Sequence, residues 1–498
     1  MAANYARIVI PCNLQVMFNI LNSKKRNCWA FSIANDASTH YGKSYFDNRI
    51  RIHLDGKLHN IHALAIPMFE HHTGENMFLL VSRFLDVVCP HWRMQLLGIG
   101  SDGASSMVGH LQGVVTRLVN ASPHSVYRVW CGLHQLDLVL KHSYAMLWDN
   151  DVVTIMKKFI NHLRQQPALI TEMKCQCPQL STCWLVMGTV STWFLVKRIQ
   201  IFEYINAAET AVEEAPPVWW WIIIAGISAL TDIINPVFVK LQAQNLLVST
   251  QSMMLEGLGI NICTAVGVDG PFTNDEIRAM PQRFRCTHGR WSVSYENIVS
   301  FLQGLGMYTR HALQCLPDEI HHKVVRSVGE LAVHLVEGIV NIQAERSDRN
   351  NAADDLPPVL PHELVKIPPG VYGATVIDPH ILQLRHSWTE HDIGEIETEH
   401  RQLHIAYREE PALKSALDSY ENTGITSFET GWAIVEGRFD ILRDFCGGIA
   451  TVFANTASVE SDFSIVGCEK DVYRLSLTDL SLEGIMQCKQ FELLSLLA

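Results

Sequence analysis

The stretch LLGIGSDGASSM, residues 96–107, places one carboxylate between an apolar run and a polar one. The residues before Ser101 are mostly apolar, which is typical of a buried strand. The small polar residues after Asp102 are typical of the first turn of a helix. Taken alone, Asp102 is interpreted as a helix cap. A second carboxylate brought to the same place by the fold would instead indicate a metal site.

The residues around this stretch predict an α/β domain that begins with three antiparallel strands. The strand candidates are CWAFSIAND (28–36), RIRIHL (49–54) and IHALAIPMF (61–69), and Asp55-Gly56 is a strong hairpin signal between the last two. An amphipathic helix that Pro90 ends precedes a fourth strand, MQLLGIGSD (94–102). A second helix, a short strand in YRVWCGLH (127–134) and a third helix follow. The predicted order is βββαβαβα.

Long helical segments then dominate the chain until a capped helix appears in NTASVESDFSIVG (455–467). We therefore expect an α/β fold whose mixed sheet is interrupted by a large all-α insertion domain. The expected divisions are an N-terminal segment (1–27), the first part of the core (28–148), the helical insertion (149–440), and the last part of the core with a terminal amphipathic region (441–498).

Length and composition restrict the classes of protein to which the chain can belong. It has 498 residues, 48% of them hydrophobic and 18% charged, which is typical of two or three globular units and excludes a largely disordered protein. A net charge of -12 does not suggest a general nucleic-acid binder. The 13 cysteines form no secreted-type framework, so a reduced intracellular protein is expected. The apolar run VWWWIIIAGISAL (218–230) is shorter than the roughly 20 residues that span a bilayer, so we expect a buried helix and no membrane partner.

Asp36 and Asp102 are predicted to meet at one edge of the sheet. Asp36 ends the predicted first strand, Asp102 ends the fourth, and in this order the two strands commonly pair in parallel. Two carboxylates held close together repel each other unless a divalent cation lies between them. Pairs of Mg²⁺ or Mn²⁺ bound in this way support phosphodiester cleavage and strand transfer. Asp36 could instead be a turn residue bonded to its own backbone.

Five motifs, in this order, make the chain resemble the hAT superfamily of transposases from about residue 28 to its end. They are IANDAST (33–39), LLGIGSDGASSM (96–107), VWCGLH (129–134), THGRWSVS (287–294) and TASVESDFS (456–464). The resemblance implies a ribonuclease H-like core with a helical insertion and a C-terminal dimerisation region. It implies a catalytic site of Asp36, Asp102 and Glu460 that holds Mg²⁺ or Mn²⁺. It also implies transposon-end DNA as a partner, a homo-oligomer and a nuclear location.

Two further pairs of residues match motifs of the family. Its Arg-Trp pair falls on Arg290 and Trp291, within RFRCTHGRW (283–291), where Arg285 also alternates with aromatic residues. This pattern suits phosphate contact and stacking on an unpaired base, and the alternative is a buried Trp beside surface arginines. The family's Cys-x-x-His element falls on Cys131 and His134. Because no second pair completes a four-coordinate zinc site, we expect a structural role near the fifth strand.

The chain departs from the family pattern in three places. DAST stands where the family has a Trp-containing turn, Ser461 and Asp462 follow Glu460 where the family has a basic residue, and no zinc finger precedes the core. We expect the Asp462 carboxylate to alter the charge beside the metal site, and the chain to be an N-terminally truncated or domesticated copy. One alternative is a catalytically inactive nuclear protein that acts through dimerisation and protein or nucleic-acid binding. Another is a cytosolic metal-dependent nuclease unrelated to transposons.

Overall fold

The computed structural model divides the chain into two compact units. The first contains residues 1–133, 241–252 and 346–498, and the second contains residues 134–240 and 253–345. The residues that the structure describes are 2–23, 28–40, 42–69, 73–109, 112–180, 186–207, 212–280, 282–286, 289–347, 356–420, 427–470, 474 and 476–497.

The first unit opens with a helix, a three-stranded meander and two βα segments. Its elements are α1 (Ala2–Leu21), β1 (Phe31–His40), β2 (Lys43–Leu54), β3 (Lys57–Met68), α2 (Gly74–Val88), α3 (Trp92–Gln95), β4 (Leu96–Ser101), α4 (Ser105–Val108), α5 (Val114–Ala121) and β5 (Tyr127–Trp130). Asp55 and Gly56 both have positive φ, as a two-residue hairpin turn requires. The predicted order of strands is confirmed, whereas α1 and the short helix α3 were not predicted, and the single helix expected after Asp102 corresponds to the two helices α4 and α5.

The five strands form one mixed sheet in the order β3-β2-β1-β4-β5. β2 runs antiparallel to β1 and β3, whereas β4 runs parallel to both β1 and β5. The parallel pairing of β1 with β4 is as predicted. Side chains alternate along β1, so Phe31 and Ile33 pack with α1, α2 and α5 on one face. Ala34 packs on the other face, with helices from the end of the chain.

The second unit is mostly helical. It holds most of α6 (Gly132–Ala145) and α11 (Val248–Val266), together with a 3₁₀ turn (Leu147–Asn150), α7 (Asp151–Arg164), α8 (Pro167–Met173), α9 (Val186–Ala207), α10 (Val218–Leu241), β6 (Val268–Asp269), α12 (Asn274–Ala279), β7 (Phe284–Arg285), β8 (Ser292–Val293), α13 (Tyr295–Gly304), α14 (Met307–Gln314) and α15 (Asp318–Ser347). The short strands form a sheet in the order β6-β8-β7.

Helix α10 is longer than the apolar run from which it was predicted. It has 24 residues and continues past Thr231, whose hydroxyl donates to the Ile227 carbonyl at 2.9 Å and so does not interrupt the helix. By length and composition α10 is the one described helix that could cross a membrane, and 61% of its most apolar window is buried. The Trp220 indole is among the buried groups and donates to the Val152 carbonyl at 3.0 Å.

The last part of the chain returns to the first unit. Its elements are α16 (Pro361–Leu364), α17 (Pro369–Tyr372), a π turn (Gly373–Ile377), a 3₁₀ turn (Asp378–His380), α18 (Ile381–Ser387), α19 (Glu390–Glu409), α20 (Pro411–Tyr420), α21 (Phe428–Ala433), α22 (Asp440–Ala450), α23 (Ala457–Glu469), α24 (Asp479–Lys489) and α25 (Phe491–Leu497). Helices α16 to α22 share one apolar core with Trp29 and Leu97 of the sheet region. Residues 346–440, which the sequence analysis placed in the insertion, therefore lie with the sheet.

Candidate functional site

Asp36 and Asp102 occupy equivalent positions on neighbouring parallel strands. The ladder between β1 and β4 ends at the pair Asn35 and Ser101, so each aspartate is the residue directly after the last pair. The expectation that Asp36 ends its strand is wrong, because β1 stays paired with β2 as far as His40. Asp36 therefore lies inside β1 but beside the open end of β4.

The buried part of helix α23 brings Glu460 to the same region. Val459 and Phe463 are buried with Ala34 of β1, and Glu460 follows Val459 in the first turn of α23. Its side chain is exposed. Its negative charge contributes to raising the pKa of Asp36, so the two carboxylates lie within electrostatic reach of each other.

The pKa of Asp36 is raised from 3.8 to about 8. Burial is the largest cause, and the charge of Asp102 is the next. The Ala37 amide opposes this by donating to Asp36 Oδ1 at 2.7 Å, whereas the charges of Glu460 and Asp47 raise the pKa further. Asp36 therefore retains a proton at neutral pH unless a cation offsets the neighbouring charges.

The donor set of Asp36, Asp102 and Glu460 fits a hard divalent cation. All three residues offer carboxylate oxygens, which are the ligands that Mg²⁺ and Mn²⁺ prefer. Among the described residues these three carboxylates do not form a group whose ligand atoms all lie within 4.8 Å of one another; Asp47, His62 and Asp462 do.

Asp102 also acts as the cap that its sequence position first suggested. Its Oδ1 accepts from the Ala104 amide at 3.2 Å. Gly103 is required between them, because a Cβ there would lie 2.3 Å from the ring of Trp130. The close approach of Trp130 fixes the turn that presents Asp102 at the end of β4.

Asp462 does not add free charge beside Asp36, contrary to the expectation from sequence. Arg49 of β2 donates to it with two nitrogens, Nε to Oδ2 at 2.6 Å and Nη2 to Oδ1 at 2.7 Å. His62 Nδ1 lies 3.3 Å from the same Oδ2. Although burial opposes it, the hydrogen bonds and charges of His62 and Arg49 hold the pKa of Asp462 below its ordinary range. Asp462 is thus a buried, paired carboxylate.

Sequence reasoning missed the polar face of β2 to which Asp462 binds. Asp47, Arg49, Arg51 and His53 alternate along this strand, and that pattern ordinarily indicates a face in contact with water. In the structure Asp47, Arg51 and His53 are all less than 9% exposed, because the C-terminal helices cover them. The sequence signal for this buried polar face was the presence of four ionisable residues at alternate positions of one strand.

The predicted DNA-binding residues lie in the second unit, beside its small sheet. Arg285 ends β7 and donates to the Ile277 carbonyl at 3.1 Å, and Arg290 Nε donates to the Phe272 carbonyl at 3.3 Å. Both arginines are exposed. Thr287 and His288 of the THGRWSVS motif lie outside the described residues.

Trp291 is half-buried rather than part of the core. Its amide donates to Glu337 of α15 at 2.7 Å, and its ring lines a cavity of about 420 Å³ between α11 and α15. Gly259 and Ile339 line the same cavity. The arrangement combines a partly accessible indole with nearby exposed arginines.

Cys131 supports the helix that carries Glu460. It follows β5 directly, is buried, and its sulfur accepts from the Thr456 amide at 3.4 Å. Thr456 precedes the first residue of α23. His134 lies on α6 and is partly exposed. Among the described residues, Cys131 and His134 are not part of any set of three metal-ligand side chains whose donor atoms lie close together.

Comparison with known proteins adds no relative. No family model matches the sequence, and a search of curated proteins finds no significant match.

Proposed function

We propose that this protein is a hAT-like transposase, or a protein derived from one, with a ribonuclease H-like core and a helical insertion. In this proposal it cleaves and transfers DNA strands in the nucleus through Asp36, Asp102 and Glu460. The observation that carries the proposal is the placement of Asp36 and Asp102 after the last pair of parallel strands, with Glu460 within electrostatic reach. The mixed sheet, with β1 parallel to β4, supports it as the arrangement expected for such a core.

The chemistry divides among the three carboxylates. Asp36 and Asp102 would hold the cations from the sheet, and Glu460 would complete the coordination from α23. Bound Mg²⁺ or Mn²⁺ would activate the attacking water or hydroxyl and stabilise the leaving oxygen. Asp36 gives up its proton when a cation binds, because the ionised form is the ligand. Arg285, Arg290 and Trp291 contact DNA through phosphates and a stacked base.

The decisive experiment is a DNA nicking and joining assay in Mn²⁺. The wild-type protein is expected to nick or join DNA, and Asp102→Asn is expected to abolish this activity. Asp275→Asn is a matched control, because the Asp275 side chain is 94% exposed on the second unit. Circular dichroism establishes that each variant is folded. Activity that survives Asp102→Asn in a folded protein contradicts the assignment.

The second candidate is a catalytically inactive nuclear protein that acts through dimerisation. The observation that favours it is the pKa of Asp36, since a carboxyl that keeps its proton at pH 7 is a poor metal ligand. The C-terminal helices also expose the apolar side chains Leu480, Phe491 and Leu496. Light scattering and Mn²⁺ titration separate the candidates. A stable dimer in which Asp102→Asn leaves Mn²⁺ binding unchanged supports the inactive protein.

A further inference from the structure

A second cluster of ligand-type side chains lies beneath α23, and one of its members, Asp47, is the cross-strand partner of Asp36. His62 Nδ1 lies 3.2 Å from Asp47 Oδ1 and 3.3 Å from Asp462 Oδ2. The three donor atoms lie within 4.8 Å of one another, and all three residues are buried. They come from β2, β3 and α23.

The other nitrogen of His62 already has a partner. Nε2 lies 3.2 Å from Glu483 Oε1 on α24, and Glu483 also accepts from the Ala65 amide at 3.0 Å. With Nε2–H donating to Glu483, Nδ1 directs either a lone pair or a second proton at two carboxylate oxygens. A lone pair alone would be repelled by both oxygens, so the position requires a proton or a metal ion. A histidine held by a carboxylate in this way is typical of metal ligands.

Asp47 gives an independent indication that a cation belongs at this position. Its side chain is 0% exposed, and the polar groups that face it are His62 Nδ1, 3.2 Å from Oδ1, and the Asp462 carboxyl. Burying an ionised carboxylate beside a second carboxylate costs several kcal/mol unless a cation or proton offsets it. A metal ion bound at Oδ1 would remove that cost.

We propose that Asp47, His62 and Asp462 form a buried site for one divalent transition-metal ion of the Zn²⁺ type. The two separations from His62 Nδ1, 3.2 and 3.3 Å, agree with this, because ligands of a tetrahedral ion with bonds of about 2.0–2.1 Å lie about 3.3–3.4 Å apart. The charges agree as well. With His62 neutral and Arg49 positive, a divalent ion balances Asp47, Asp462 and Glu483.

This site is distinct from the proposed catalytic site and does not depend on the proposed function. Its histidine favours a transition metal, whereas Asp36, Asp102 and Glu460 offer only oxygens. The metal would tie α23 to β2 and β3, and Glu483 would extend this link to α24. Its role is therefore structural, holding the C-terminal helices on the sheet.

Metal binding at this site is expected to release protons. Burial raises the pKa of Asp47 to about 7, and the pKa of His62 lies well above its ordinary value because the charges of Glu483 and Asp47 outweigh its burial. The other charged groups around the cluster are Asp36 on β1, Arg49 on β2 and Asp462 on α23. Zn²⁺ therefore competes with protons at these groups, and its apparent affinity should fall as the pH is lowered.

The experiment is titration of the chelator-treated, full-length protein with Zn²⁺ in buffers of different ionisation enthalpy. We expect one tight site, release of protons on binding, and no competition from millimolar Mg²⁺. Asp47→Asn and His62→Gln should each weaken this site at least a hundredfold. Asp102→Asn is the matched control and should retain it, so failure of this proposal is distinguishable from failure of the proposed function.

X-ray absorption of the Zn²⁺-loaded wild-type protein tests the site even if the variants do not fold. The expected spectrum has nitrogen and oxygen ligands at about 2.0 Å and the outer-shell signal of one imidazole. Absence of a tight site, sulfur ligation, or Zn²⁺ affinity unchanged in Asp47→Asn would each overturn the proposal.

Discussion

Replacement of Asp36 by Asn is expected to stabilise the metal-free protein, and increasingly so as the pH rises. The folded-state pKa of Asp36 is about 8, against an ordinary value of 3.8. The folded state therefore keeps a proton that the unfolded chain releases between these values, and wild-type stability declines through that range. Over this range the free energy of unfolding falls by about 1.4 kcal/mol for each pH unit, so the total loss is about 6 kcal/mol. Asn carries no such cost because it does not ionise.

The assay is hydrogen exchange of the peptide that contains β1, in EDTA, corrected for the intrinsic pH dependence of exchange. Between pH 5.5 and 7.5 the opening free energy of the wild type should fall relative to Asp36→Asn by about 2.5 kcal/mol. Adding Mg²⁺ or Mn²⁺ at pH 7.5 should raise the opening free energy of the wild type again but should not change that of Asp36→Asn. Asp275→Asn, on an exposed carboxylate, should follow the wild type at every pH.

Two results would refute this reasoning. If the difference in opening free energy between the wild type and Asp36→Asn stays constant with pH, the Asp36 carboxyl has the same pKa in the folded and unfolded chains. A wild type that gains stability relative to the variant as the pH rises would mean that Asp36 is paired with a cationic group rather than with Asp102.

Four further substitutions, in three tests, probe other parts of the first unit. Arg49→Met should lower the free energy of unfolding by about 3–5 kcal/mol, because it removes the two-point partner of Asp462 and leaves only His62 beside this buried carboxylate, and Asp462→Leu in the same chain should recover part of the loss in thermal unfolding; no recovery would contradict the pairing. Gly103→Ala should lower the free energy of unfolding by about 1–3 kcal/mol, because the alanine Cβ would clash with the ring of Trp130. The same change should weaken Mn²⁺ binding in titration. Gln490→Ala should speed amide exchange at the edge of β3, where its side chain is bound; unchanged exchange would show that water replaces it.

The elements around the candidate site could be predicted because their signals are local. The Asp55-Gly56 turn sets the hairpin of β2 and β3, and alternation along β1 sets which side chains face each layer. Parallel pairing of β1 with β4 follows from the order of the elements, in which a helical crossover leads from β3 to β4. The first two inferences use residues that are neighbours in the chain, and the third uses only the order of the strands and helices.

The buried charges beneath α23 could not be predicted, because their partners are far apart in sequence. His62 and Asp462 are 400 positions apart, and His62 and Glu483 are 421 apart. An alternating strand such as β2 predicts one dry face and one wet face. Only the tertiary packing of the C-terminal helices turns the expected wet face into a buried one.

The positions of Glu460 and Asp462 on α23 explain why the departure after Glu460 is not a defect of the proposed site. Residues two apart on a helix point about 200° apart, so Glu460 and Asp462 face different surroundings. Arg49, supplied by β2, neutralises Asp462, and the pKa of Asp36 is raised by Glu460 and not by Asp462. The barrier to metal binding is then the proton on Asp36. A cation must displace it, so below pH 8 the apparent affinity for Mn²⁺ should fall about tenfold for each pH unit. In Asp36→Asn this pH dependence should disappear together with most of the affinity.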